Sequence, residues 1–179
     1  EPENITEAAE KTAFRLPGWS ENPTVTCEGK TLEIRKGASI CVRGTKNSNY
    51  EYVRLGDDKG TDGRLFIKGG ILDCNNIYVG GGAKNTSTAH AIGKGWLYVS
   101  DGGCISNNAA LTVTGTQTAR VDIVNSTYTS PTTYGDWSLG GDTDTATWRS
   151  PVTVSNSLVR FRSAAVHGTA DLRMTDTLC

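Results

Sequence analysis

Short segments in which apolar and polar residues alternate recur along the whole chain. Examples are Leu-Glu-Ile at 32–34, Leu-Phe-Ile at 65–67 and Leu-Tyr-Val at 97–99. A period of two places successive side chains on opposite sides of a strand, so the alternation predicts β-strands with one buried side. A second alternating segment precedes a glycine in each repeat, as at 77–79 before Gly80. One unit is therefore predicted to contain a strand, a short turn, a second strand, a glycine and a loop of variable length.

The alternating segments belong to an internal repeat. Residues 63–70 superpose without a gap on residues 95–102, an offset of 32 that pairs Leu65 with Leu97. Equivalent anchor residues recur along the chain at spacings between 20 and 33 residues. These anchors are Leu32, Leu65, Leu97, Val121, Val152 and Leu172.

The repeat predicts how the chain folds. A single unit cannot bury its apolar side, whereas stacked units can, because each strand pairs in parallel with its equivalent about 4.8 Å away. We therefore expect an all-β fold, a right-handed single-stranded parallel β-helix (solenoid) of about six irregular coils. Its handedness follows the general preference for right-handed crossovers. The six anchors should form one interior column. A two-layer β-sandwich is the alternative, since it also has many short strands.

The N-terminal segment differs from the repeats. Residues 4–14 are the only helix-like stretch, with cap-type residues ahead of Glu and Ala. We expect residues 1–23 to form an N-terminal cap over the open end of the β-helix, which spans 24–179; a disordered tail is the alternative. Because the last residues have the pattern of a strand, we expect the natural protein to continue beyond Cys179.

Composition narrows the classes of function. The chain has 179 residues, 18 Lys and Arg against 19 Asp and Glu, and 21 glycines against one methionine. A net charge of −1 argues against nucleic acid as the main partner. No apolar run approaches the roughly 18 residues that a transmembrane segment needs. The five cysteines form no Cys-x-x-Cys pair, which argues against zinc-ribbon and thioredoxin-like sites. Buried thiols and one disulfide remain alternatives.

Few residues suggest catalysis or metal binding. The two histidines, His90 and His167, are isolated, and no catalytic set is recognisable, so no catalytic residue is predicted. Asp142 and Asp144 lie on a loop after a second strand, where paired carboxylates could bind Ca²⁺ through hard oxygen ligands. Local turn hydrogen bonding is the alternative role for these aspartates. No other cofactor is expected.

The outward positions of the anchor strands predict an aromatic patch. Phe66 should lie directly beside Tyr98 in the next coil, and Trp96 should lie beside Arg64. Rings gathered in this way could stack on sugars, or they could be covered by the loop at 80–95. The outward row itself is expected to run through Glu33, Phe66, Tyr98, Asp122, Thr153 and Arg173.

Two further tryptophans are expected to differ in exposure. Trp137 is in phase with Leu139, which places it in the interior. Trp148 lies in the loop at 141–148 and is expected to be exposed, so it joins Phe66, Trp96 and Tyr98 as a candidate carbohydrate-binding residue.

Two phrases suggest a lineage. Gly-Arg-Leu-Phe-Ile-Lys-Gly-Gly-Ile at 63–71 and Asn-Asn-Ile-Tyr-Val-Gly at 75–80 resemble the glycine-rich repeats of bacterial autotransporter passenger domains and related secreted β-solenoids. The resemblance covers residues 30–179. It implies an extracellular or cell-surface location and a non-enzymatic structural or adhesive role. The loops or the aromatic patch would then meet a glycan or protein partner.

Two other functions fit a β-helix. A polysaccharide lyase or hydrolase would require Asp or Glu and Arg or Lys from successive coils to converge in one groove. A lectin-like carbohydrate-binding module would require Phe66, Trp96 and Tyr98 to be exposed together.

Overall fold

A computed structural model describes residues 13–15, 24–27, 30–42, 52–56, 62–80, 94–113, 119–130, 132–140, 151–166 and 171–178. These residues form strands and connections without a helix, and none of them could cross a membrane as a long apolar helix. The strands are β1 (Ala13–Arg15), β2 (Thr24–Cys27), β3 (Lys30–Arg35), β4 (Ser39–Val42), β5 (Tyr52–Leu55), β6 (Asp62–Lys68), β7 (Ile71–Cys74), β8 (Asn76–Val79), β9 (Lys94–Ser100), β10 (Cys104–Asn107), β11 (Leu111–Val113), β12 (Arg120–Val124), β13 (Thr127–Thr129), β14 (Asp136–Leu139), β15 (Pro151–Ser155), β16 (Leu158–Arg160), β17 (Ser163–Val166) and β18 (Asp171–Thr175).

Consecutive strands enter three different sheets in turn, and every third strand returns to the same sheet. The first sheet has the order β1-β4-β7-β10-β13-β16, the second contains β2, β5, β8, β11, β14 and β17, and the third contains β3, β6, β9, β12, β15 and β18. All these strand pairs are parallel, as in a parallel β-helix. The two-layer sandwich is therefore excluded for this part of the chain.

The predicted interior column is confirmed. The register joins Leu32 to Leu65 and Leu65 to Leu97, and it continues through the other three anchors. The first five anchors are at most 3% exposed. Leu172, in the last strand of the third sheet, is only partly buried.

The predicted two-strand unit is wrong, because each repeat has three strands. The strand that sequence reading missed is the one in the first sheet, such as β7 or β13. These strands have only three or four residues, for example Ile-Leu-Asp-Cys in β7 and Thr-Tyr-Thr in β13. Segments of this length show too little alternation to be told from a turn by sequence alone.

Residues with a left-handed backbone conformation form the corner between the third and first sheets. Asp101, Asn125, Asn156 and Asp176 have φ values of 57°, 48°, 44° and 48°, a region that Asn and Asp tolerate better than most residues. Asn156 Nδ2 donates a hydrogen bond of 2.7 Å to Asn125 Oδ1 in the preceding repeat. This corner is consequently short and similar from one repeat to the next.

The connection from the second to the third sheet varies in length. It takes up residues 28–29, 56–61, 80–93, 114–119, 140–150 and 167–170, as the strand bounds show. The connection from the first to the second sheet varies as well, from one residue between β7 and β8 to nine between β4 and β5. The predicted confinement of length changes to one edge is therefore wrong, since only the corner between the third and first sheets stays short along the described strands. Most residues of the longer connections lie outside the described part of the chain.

At the N-terminus, the helix expected over residues 4–14 is wrong for Ala13 and Phe14. Both belong to β1, which pairs with β4 of the first sheet. Most of residues 1–23 lie outside the described residues, so the proposed cap remains a prediction.

Candidate functional site

The aromatic patch lies on the outer side of the third sheet. Alternation in β6 and β9 buries Leu65, Ile67, Leu97 and Val99, each at most 1% exposed, and turns the intervening side chains outward. The register places Phe66 beside Tyr98 and Arg64 beside Trp96, as predicted. All three rings are partly exposed. We call this surface the aromatic face: Phe66, Trp96 and Tyr98 with the flanking Glu33, Lys68, Arg120 and Asp122.

The three rings contact one another. The centroids of Phe66 and Trp96 are 4.9 Å apart with planes at 75°, and those of Phe66 and Tyr98 are 5.7 Å apart at 76°. Trp96 and Tyr98 are 6.1 Å apart and tilted by 59°. Edge-to-face pairs at these separations are favourable, because the positive ring edge meets the negative ring face. The cluster is thus supported by its own contacts.

Asp122 fixes the indole of Trp96 from the next strand. Its Oδ2 accepts hydrogen bonds from Trp96 Nε1 at 2.8 Å and from Arg120 Nε at 2.6 Å. Asp122 is only 4% exposed, and the Arg120 guanidinium carbon lies 5.2 Å from the Trp96 ring centroid. A charged hydrogen bond and a cation–π contact therefore hold one ring in place.

The opposite flank has a second charged cluster. Glu33 Oε1 lies 3.1 Å from Lys68 Nζ and 3.4 Å from Arg35 Nε. Lys68 Nζ also lies 5.7 Å from the Phe66 ring centroid. Burial acts to raise the pKa of Glu33, but the hydrogen bond and positive charge of Lys68, together with Arg35, outweigh it and lower the pKa. Glu33 therefore remains a carboxylate under ordinary conditions.

We expect Asp122→Ala to lower the free energy of unfolding by about 1–3 kcal/mol, because the Trp96 indole N–H and Arg120 lose their shared acceptor. Chemical denaturation followed by circular dichroism would measure the change. The matched control is Asp171→Ala, which removes the carboxylate 2.7 Å from Arg173 Nη2 in the exposed pair of β18. That variant should change the free energy by only about 0–1 kcal/mol. Equal losses in both variants would contradict the structural role of Asp122.

The remaining predicted site residues are not placed. Trp148, Asp142 and Asp144 lie outside the described residues, as do both histidines. Within the described ranges, no group of three or more His, Cys, Asp or Glu side chains is arranged to hold a metal ion. The possible Ca²⁺ site at Asp142 and Asp144 therefore stays a prediction.

The described carboxylates of the outward row do not converge. Glu33 in β3 and Asp122 in β12 are separated by the strands of Phe66 and Tyr98, which puts them three strand spacings or about 14 Å apart. Each is already bound by cations of its own neighbourhood. This arrangement differs from the acidic cluster that a lyase or hydrolase requires.

Sequence reasoning missed the role of Arg120. The repeat alignment began at Val121, so it did not extend one residue back to the position beside Trp96, which the register assigns to Arg120. Extending the alternation by one residue would have found this neighbour. Asp122 was placed in the outward row, but register alone does not show that it bonds to the indole.

Comparison with known proteins gives no relative. No protein family, curated protein or solved structure matches the chain. The function must therefore be argued from the aromatic face and the architecture that holds it.

Proposed function

We propose that this chain is a non-enzymatic extracellular or cell-surface β-solenoid whose aromatic face binds a glycan. We take it to be a right-handed β-helix of about six coils that resembles autotransporter passenger repeats, with the handedness resting on the general preference for right-handed crossovers. The observation that carries the proposal is that Phe66, Trp96 and Tyr98 are packed together and still partly exposed. Its biological role is structural or adhesive.

The chemistry of sugars fits such a surface. One side of a pyranose ring presents C–H groups that stack on aromatic rings, and its hydroxyl groups hydrogen-bond to neighbouring polar side chains. On the aromatic face, Tyr98 offers a ring, while Lys68 and Arg120 are polar neighbours within the same cluster.

Rigidity also favours binding. The rings lie on neighbouring strands of a parallel sheet, and Asp122 fixes the orientation of Trp96. Little side-chain freedom is then lost when a ligand is bound, which improves affinity without adding contacts.

Removing the Tyr98 ring tests the proposal. We expect Tyr98→Thr to weaken binding to the glycans recognised by the wild-type chain by about tenfold or more, since an aromatic contact with its buried area is lost. Threonine is suitable because it favours strands, and Thr153 already occupies the same outward row. A glycan array would identify ligands, and titration calorimetry would measure the affinities.

The matched control is Tyr134→Thr, which removes a tyrosine that is 60% exposed and lies on a turn outside the third sheet. It should leave binding unchanged. Circular dichroism of both variants would check that the strands are intact. If the wild-type chain binds no glycan, or if Tyr98→Thr binds as well as the wild type, the proposed function is wrong.

A polysaccharide lyase or hydrolase and a lectin-like module remain the alternative functions. The separation of Glu33 and Asp122 gives the catalytic alternative no specific support. Incubation with polysaccharides followed by assay of new reducing ends should accordingly show no cleavage. The lectin-like alternative uses the same aromatic face, so it also predicts that Tyr98→Thr weakens glycan binding.

A further inference from the structure

We propose that the glycan bound at the aromatic face is acidic and carries uronate carboxylates. This inference rests on the proposed function, and it concerns which sugars the same surface prefers. It is carried by the charges around the rings, which differ in sign from the charge of the whole chain.

The described outward side chains of β3, β6 and β12 carry more positive than negative charge. The whole chain has a net charge of −1, so the positive character of this surface is local. The described cations of these three strands are Arg35, Arg64, Lys68 and Arg120, against the carboxylates of Glu33 and Asp122. On β9, Lys94 is exposed as well.

Both carboxylates are already neutralised by these cations. Glu33 contacts Lys68 and Arg35, and Asp122 accepts from Arg120 and from the Trp96 indole. An anionic ligand would therefore meet little repulsion from them. The third sheet beyond β12 adds no net charge among its described residues, since Asp171 pairs with Arg173.

Arg64 is the cation best placed for a ligand. It is exposed and stands beside Trp96 in the register, whereas Arg120 on the other side of Trp96 is engaged by Asp122. No hydrogen bond or ion pair of the Arg64 guanidinium is found among the described residues. A planar guanidinium binds a carboxylate through two parallel hydrogen bonds. A uronate stacked on the rings would thus place its carboxylate close to the Arg64 guanidinium.

The modest excess of charge favours a uronate over a sulfated glycan. A densely sulfated chain is bound by many Lys and Arg side chains acting together, and such binding is strongly dependent on salt. Here a single available guanidinium stands next to an aromatic cluster. One carboxylate per stacked sugar matches that arrangement.

The experiment compares oligoglucuronate and oligogalacturonate with the same oligosaccharides after reduction of their carboxyl groups. Titration calorimetry on the full chain should show about tenfold weaker binding of the reduced forms. Arg64→Gln should remove this preference while leaving the affinity for the reduced forms unchanged. Arg64→Lys should retain part of it, because it keeps the charge but loses the planar fork. Arg160→Gln, at an exposed arginine of the first sheet, is the control and should behave as the wild type.

The outcomes separate this inference from the proposed function. Equal binding of the uronates and their reduced forms overturns the inference, as does an unchanged preference in Arg64→Gln or tighter binding of a sulfated glycan. If the chain binds neutral glycans through Tyr98 alone, the inference fails and the proposed function stands. If no glycan binds, both fail.

Discussion

Replacing Trp137 by alanine is expected to lower the free energy of unfolding by about 3–5 kcal/mol, the cost of deleting a large buried aromatic side chain. Trp137 is 1% exposed and lies in β14 of the second sheet. Its ring is 4.5 Å from Phe161 in a stacked arrangement and 5.1 Å from Tyr128 in a T-shaped one. Alanine would leave a cavity between these two rings, and the stacked strands on either side leave little room for collapse.

Urea denaturation followed by near-ultraviolet circular dichroism would measure the loss, because the signal reports aromatic packing. Trp137→Phe should cost less than alanine, since a ring remains between Tyr128 and Phe161. Tyr134→Ala is the control, as its ring is 60% exposed and should change the free energy by only about 0.5 kcal/mol or less. A loss for Trp137→Ala no larger than that of Tyr134→Ala would disprove the packing described for Trp137.

The interior position of Trp137 could be predicted because the signal was simple. Its spacing of two residues from Leu139 set the side of the strand, and the repeat supplied a parallel neighbour in the next unit. The same reasoning placed Leu65 beside Leu97 and Phe66 beside Tyr98. Where apolar alternation and repeat offset agree, both the sheet and the side that a residue occupies follow from the sequence.

The first sheet was not predicted because its strands have only three or four residues, too few for a clear alternating pattern, and one of its inward positions is polar. In β10 the buried residues are Ile105 and Asn107. Asn107 is tolerated because its Nδ2 donates to the Tyr128 hydroxyl at 2.7 Å, and its Oδ1 accepts from the Ala109 backbone at 3.1 Å. Burial raises the pKa of Tyr128, so the hydroxyl stays protonated in the folded chain. Only the three-dimensional partner makes a buried asparagine acceptable, and sequence alternation does not show that partner.

The candidate site likewise has a part that the sequence predicts and a part that it does not. The three rings could be brought together from register alone, since each occupies an outward position on neighbouring strands. The contact of Asp122 with the Trp96 indole runs diagonally between the adjacent strands β9 and β12. It depends on the side-chain conformations of both residues, which the repeat does not specify. The pairing of Lys68 with Glu33 is likewise a diagonal contact between adjacent strands.

A second large loss of stability is expected when a leucine of the interior column is shortened. Leu97→Ala is expected to lower the free energy of unfolding by about 2–5 kcal/mol, because Leu97 is fully buried between Leu65 and Val121. Leu172→Ala changes the same residue type in the same column, but at its last, partly exposed position. It should cost roughly 1–2 kcal/mol, in proportion to the smaller apolar area that it removes from water.

Comparing Leu97→Ala with Leu172→Ala separates the effect of burial in the column from other effects of the substitution. Both variants exchange leucine for alanine in a strand of the third sheet, so the change in strand propensity and in the unfolded chain is similar in both. The two sites are three strand spacings or about 14 Å apart, and the double variant should therefore show the sum of the two losses. Equal losses at both positions, or a larger loss at Leu172, would show that burial does not follow position in the column. The stacked architecture, and with it the rigid support of the aromatic face, would then have to be abandoned.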